Sequence, residues 1–149
     1  MRRLAALLVV AAALSACGGA SVSSPGAAAV DDAVQVPVDG GGSYADITPA
    51  RLDAMLAAKD FVLVNVHVPY EGEIEGTDAF IAFDQIAAHL DELPSDRGSK
   101  IVLYCRSGSM SAIAAREVVG LGYTNVLSLD GGMNAWSSQG FPLVSRPPG

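Results

Sequence analysis

The sequence predicts an α/β domain in which a parallel sheet carries helices on both faces. Three observations predict it. Two nearly continuous apolar runs, residues 61–66 and Ile101–Tyr104, are rich in Val and Leu, as strands covered on both sides are. Strand-like and helix-like patterns alternate along the chain, the order that gives parallel strands joined by helical crossovers. Gly and Pro punctuate the junctions between them.

The first helix is expected from Thr48, a capping residue, with Pro49 suited to the first turn, to about Lys59. Leu52, Met55 and Leu56 recur at three-and-four spacing and give it one buried face. Residues 61–66 follow as the first buried strand. A loop with Gly72 and Gly76 leads to a short apolar piece at 79–83, and a second helix is expected over 85–93, stopped by Pro94. After the Ile101–Tyr104 strand, a helix spans 109–119, with Met110, Ile113, Ala114 and Val118 on one face and Gly120 and Gly122 near its end. Residues 125–129 make another strand. Gly131 and Gly132 then turn the chain into a short final helix carrying Trp136, and Gly140-Phe141-Pro142 closes the domain. Sites in such sheets lie beyond the carboxyl ends of the strands, and the loop leaving Tyr104 is one of those ends.

Residues 43–149 have the size of one domain with one core. The preceding segment has a different character. Met1-Arg2-Arg3 is a positive start, residues 4–14 are an apolar run too short to cross a bilayer, and Leu14-Ser15-Ala16-Cys17 resembles the lipobox of bacterial lipoproteins. That resemblance implies a signal peptide over 1–16, acyl chains such as palmitate on Cys17, and a domain held outside the cytoplasm on the cell membrane or envelope. Residues 18–42 are dominated by Gly, Ala, Ser and Val and cannot bury enough surface to fold alone, so 17–42 is read as a lipidated N-terminus and flexible tether.

The chain has 9 basic and 16 acidic residues and a formal charge of −7; without 1–16 it loses Arg2 and Arg3 and stands at −9. Acidity of that size argues against nucleic acid as a partner and against a polybasic grip on anionic lipid. The expected membrane attachment is therefore the lipid on Cys17. No cofactor and no metal is expected. With the sulfur of Cys17 consumed by lipid, Cys105 is expected as a free thiol.

The loop that carries chemistry reads Cys105-Arg106-Ser107-Gly108-Ser109-Met110-Ser111, directly after a buried strand and directly before a helix. At that place backbone N–H groups lack helical partners and the positive helix end favours an anion, so Cys105 is the candidate nucleophile. Arg106 adds a fixed positive charge. Gly108 lets the backbone curl so that successive N–H groups converge on one anionic atom, and Ser107, Ser109 and Ser111 are helix caps or ligands of that anion. The whole loop, Met110 included, is the candidate substrate-binding segment.

Cys-Arg-Ser-Gly-x-x-Ser after a strand, followed by Leu129-Asp130-Gly131-Gly132-Met133 and Trp136, resembles the rhodanese family over almost the whole domain. The resemblance implies a three-layer fold with a five-stranded parallel sheet, and a single-domain sulfurtransferase. In that activity Cys105 takes sulfane sulfur from a small donor such as thiosulfate, a persulfide or a polysulfide, and passes it to a thiol or cyanide-like acceptor. Three places depart from the family pattern. Val64-Asn65-Val66-His67 stands where Asp-Val-Arg is usual, Gly72-Glu73-Ile74-Glu75-Gly76 where Gly-His-Ile-x-Gly is usual, and Met110 where many members carry a second arginine. The last leaves one cation for an anionic donor, so weak use of thiosulfate is expected. His67 is a possible further site residue as a hydrogen-bond donor, and Tyr70, Glu71 and Glu73 are candidates to line the entrance.

Other readings of the same residues rank lower. A phosphatase or arsenate reductase of related fold needs an arginine six positions after the cysteine, where this chain has Ser111. A thiol-disulfide oxidoreductase lacks a resolving cysteine. A module that binds persulfide or a protein without turnover is the alternative from another functional class.

Overall fold

The structure is a computed structural model that describes residues 33–148. The expected signal peptide over 1–16, the lipidation of Cys17 and most of the expected tether lie outside the described residues. The elements run β1 (Val34–Pro37), β2 (Ser43–Ile47), α1 (Pro49–Leu56), β3 (Val62–Asn65), β4 (Glu73–Ile74), β5 (Ala79–Phe80), β6 (Ile101–Tyr104), α2 (Ser109–Gly120), β7 (Val126–Leu129), α3 (Gly132–Ser138) and β8 (Leu143–Val144). The main sheet has the order β1-β2-β7-β6-β3-β5. Its β2, β7, β6, β3 and β5 are mutually parallel, and β1 joins the edge antiparallel to β2.

The continuous apolar run of β6 follows from its place between β7 and β3. Side chains alternate across a strand. Ile101 and Leu103 enter the core under α2, which also holds Val64, Val66, Ala114 and Val118; Val102 and Tyr104 enter the core under α1 and α3, with Leu52, Leu63, Leu129 and Trp136. Helices on both faces are thus dictated by a central strand that has no polar side. Thr48 caps α1 by accepting the Arg51 N–H at 3.2 Å, and Pro49 fills the first turn.

Four features differ from the sequence expectation. Residues 34–37, assigned to the tether by composition, form β1, because alternate residues of β1 bond to β2 once the domain supplies an edge. The expected 85–93 helix is two 3₁₀ turns, Ile86–Ala88 and Leu90–Glu92, broken at His89 (φ −121°, ψ 36°), where anchoring by buried Ile86 and Leu93 overrides helical spacing. Ile113 is 50% exposed; the buried face of α2 consists of Ser111, Ala114, Ala115, Val118 and Val119. The β4 and β8 pair was not foreseen, since two-residue strands carry no periodicity; it ties the 72–77 loop to the C-terminal segment. Among the described residues no helix is long and apolar enough to cross a membrane.

Candidate active site

Cys105 follows the last residue of β6, at the carboxyl edge of the sheet, and is 1% exposed. The backbone curls immediately after it. Gly108 has φ +92°, a conformation that residues with a Cβ rarely adopt, and its N–H donates to Cys105 Sγ at 3.1 Å. A Cβ at Gly108 would also stand 3.2 Å from the Gly131 nitrogen.

The loop is held from outside by α3. The Met133 and Asn134 N–H groups donate to the carbonyls of Cys105 and Arg106, each at 2.9 Å. A trans peptide points its C=O and N–H to opposite sides, so this leaves the N–H groups of Arg106 and Ser107 turned away from α3. With those of Ser109, Met110 and Ser111 at the start of α2, they have no acceptor among the described residues. The result is a run of free donors along the loop that follows the thiol, with the Gly108 N–H already on Sγ, a composition suited to an anionic sulfur or oxyanion. Gly132 makes the approach possible: a Cβ there would overlap the Cys105 carbonyl and lie 2.8 Å from the Arg106 carbonyl carbon.

None of the three serines caps α2 through its side chain; the residue capping that helix is Gly108. Ser111 is fully buried; its hydroxyl donates to the Gly108 carbonyl at 3.0 Å and accepts from Ser128 Oγ at 3.1 Å. Ser107 and Ser109 are exposed, with hydroxyls 3.4 Å apart. Met110 is half-buried against the core on the α2 side.

Arg106 is also placed differently. Its Nη1 donates to both oxygens of Glu71, at 3.1 and 3.0 Å, and the same carboxylate is 2.8 Å from His67 Nε2. The fixed positive charge expected beside Cys105 is therefore paired with a carboxylate. The His67 hydrogen bond, reinforced by Arg106, holds the Glu71 carboxyl below the usual carboxylate range. His67 itself is 7% exposed, and its Nδ1 is buried without a hydrogen-bond partner among the described residues. It leaves the sheet beside Cys105, because β3 pairs with β6 and the Val66 N–H donates to the Tyr104 carbonyl at 2.9 Å.

Asn65, at the family's usual aspartate position, fastens this loop: its Oδ1 accepts the His67 N–H at 3.0 Å and its Nδ2 donates to the Gly72 carbonyl at 3.0 Å. Glu73 is buried with Arg146 3.5 Å away, and the Tyr70 hydroxyl accepts the Arg146 N–H at 2.6 Å. Those two therefore secure the C-terminal segment, and of the three candidates for the entrance only Glu71 lies on it. Beneath, the Tyr104 hydroxyl accepts the Ile74 N–H at 3.0 Å and contacts Thr77 Oγ1 at 2.7 Å; burial pushes its phenol above the ordinary range. A cavity of about 260 Å³ opens beside the loop, lined by Glu71, Arg106, Met133, Asn134, Ser137 and Leu143.

Known proteins are similar to this chain in sequence and in fold. The chain is 37% identical over 105 residues to a sulfurtransferase of Allochromatium vinosum, covering 67% of this chain and 94% of that one. It is 32% identical over 101 residues to an adenylyltransferase and sulfurtransferase of Candida albicans, covering 61% of this chain and 23% of that longer protein. Among solved structures, a rhodanese-related protein from Thermoplasma volcanium matches with a TM-score of 0.57 at 26% identity, over 66% of this chain and 96% of that one. Residues 48–139, which run from the cap of α1 to the end of α3 and include the Cys105 loop, match the Rhodanese-like domain family, and the chain belongs to it.

Proposed function

We propose that this protein is a sulfurtransferase that carries sulfane sulfur as a persulfide on Cys105, taking it from a small donor and giving it to a thiol or cyanide-like acceptor. The observation that carries the reading is the Gly108 N–H on Cys105 Sγ within a loop that carries a run of free N–H donors. Such a run stabilises a sulfur anion before and after transfer without supplying a proton acceptor. The names of the sulfurtransferase relatives agree with it. Phosphoryl chemistry is disfavoured, because Ser111 occupies the position of the clamping arginine and is buried in a hydroxyl pair.

The test is mass spectrometry of the full chain after incubation with thiosulfate, a thiosulfonate or a polysulfide. One added sulfur is expected, and none in Cys105→Ser. Absence of an adduct with every donor would falsify the reading. Acyl attachment at Cys17, with the domain outside the cytoplasm, is the second half of the proposal. It rests on the Leu14-Ser15-Ala16-Cys17 motif. Cys17→Ala is expected to move the protein from the membrane fraction to the soluble fraction; continued sedimentation with membranes would refute the anchor.

A further inference from the structure

Three observations around the entrance bear on the donor. The carboxylate of Glu71 takes two hydrogen bonds from Arg106, at 3.0 and 3.1 Å, so the one guanidinium of the loop is bound to an opposite charge. His67 fixes that carboxylate from the other side at 2.8 Å, and the His67 backbone is in turn tied to Asn65, which is wholly buried. Met110 supplies no second cation and packs against the core. The charge that would attract a dianion is thereby engaged at the surface by a neighbouring carboxylate.

The same two side chains, Glu71 and Arg106, line the cavity of about 260 Å³, with Met133 and Leu143 as its apolar wall and Asn134 and Ser137 as its polar one. Thiosulfate is a compact dianion with no organic body to fill such a space. A persulfide carried on a small thiol has one, and its transferable sulfur bears at most a single negative charge, which the backbone N–H groups of the loop alone can hold.

We propose that Glu71, positioned by His67, is the specificity-determining residue of this site, masking Arg106 so that the enzyme takes sulfur from thiol-borne persulfides in preference to thiosulfate. The inference rests on the sulfur-carrying role of Cys105. In the favoured reaction the Cys105 thiolate attacks the outer sulfur of R–S–SH. The new Sγ–S bond forms as the old S–S bond breaks, its electron pair leaves on the R–S sulfur, and the proton moves to that thiolate. Cys–S⁻ and R–S–SH thus become Cys–S–S⁻ and R–SH, with no net oxidation. With thiosulfate the leaving group is sulfite, and both donor and leaving group carry two charges past Glu71.

The experiment compares kcat/KM for thiosulfate and for 2-mercaptoethanol persulfide, whose thiol body is uncharged, in the full chain and in Glu71→Gln, which keeps the side-chain size at an exposed position. The ratio of thiosulfate to persulfide is expected to rise roughly tenfold in Glu71→Gln, mainly through KM, and the rise is expected to shrink at high salt because the freed charge is exposed. Adding Arg106→Gln to Glu71→Gln should remove the gain, which a general loosening of the loop would not do. His67→Gln should shift the ratio in the same direction by less. A ratio unmoved or lowered in Glu71→Gln overturns the inference while Cys105 still gains sulfur. Failure of the unaltered chain to take sulfur from either donor overturns both this inference and the sulfur-carrying role.

Discussion

Gly108 donates its N–H to Cys105 Sγ at 3.1 Å from a backbone conformation, φ +92°, that only glycine adopts without strain. The loop's function therefore depends on a missing side chain. Gly108→Ala adds a left-handed penalty of about 1–3 kcal/mol and places a Cβ 3.2 Å from the Gly131 nitrogen. The turn is expected to open, with Cys105 losing its hydrogen bond. Urea unfolding should show that loss of stability, and the rate of sulfur uptake by Cys105 should fall about tenfold or more. A variant with native stability and an unchanged rate would mean the turn is not what holds the sulfur.

The hydroxyl pair of Ser111 and Ser128 supports the same turn from beneath, since Ser128 Oγ donates to Ser111 Oγ at 3.1 Å and Ser111 Oγ donates to the Gly108 carbonyl at 3.0 Å. Ser111→Ala leaves the Ser128 hydroxyl, 1% exposed, without that acceptor and is expected to cost about 1–3 kcal/mol. Removing both hydroxyls should cost less than the sum of the single losses, because the second removal takes away a group already unpaired. Strict additivity in a double-mutant cycle would show that the two hydroxyls do not work as a pair.

Much of this is legible in the sequence itself. The Cys105 loop stood out because a strand pattern, a glycine and a helix pattern meet there, and all three are local signals. The partner of Arg106 was harder to find. Glu71 lies 35 positions away and reaches Arg106 only because β3 and β6 are neighbours in the sheet; the available hint was its place four residues after His67. The role of Ser128 had a plainer sign, a lone polar residue inside the strand Val126–Leu129. The end of the tether misled for the opposite reason. Residues 34–37 form a strand only because β2 offers them an edge, which composition does not reveal.

Asp46, on β2, gives the pH prediction. Partial burial, followed by the nearby charge of Asp130, raises its carboxyl above the ordinary aspartate value of 3.8. A group with a raised folded-state value favours the fold while protonated, so its contribution is present below about pH 3.8 and is lost as pH rises through the raised value. Asp46→Asn stays neutral throughout. The variant should match the unaltered chain in urea midpoint at low pH and exceed it by a small margin near neutrality. A gap that narrows as pH rises would reverse the sign and refute the assignment.

Met110 offers the complementary route to thiosulfate. Its side chain is half-buried on α2, one residue before the buried Ser111, and the Glu71 carboxylate is already occupied by Arg106 and His67. A cation introduced there would have no carboxylate committed to it, so its charge would remain available to a dianion. Met110→Arg is therefore expected to raise cyanide-dependent thiocyanate formation from thiosulfate by roughly fivefold at low salt, with less effect at high salt. The gain should come with a small loss of stability, because the apolar contact of Met110 with the α2 core is given up. If thiocyanate formation does not increase while the fold is retained, shortage of positive charge is not what limits thiosulfate use at Cys105.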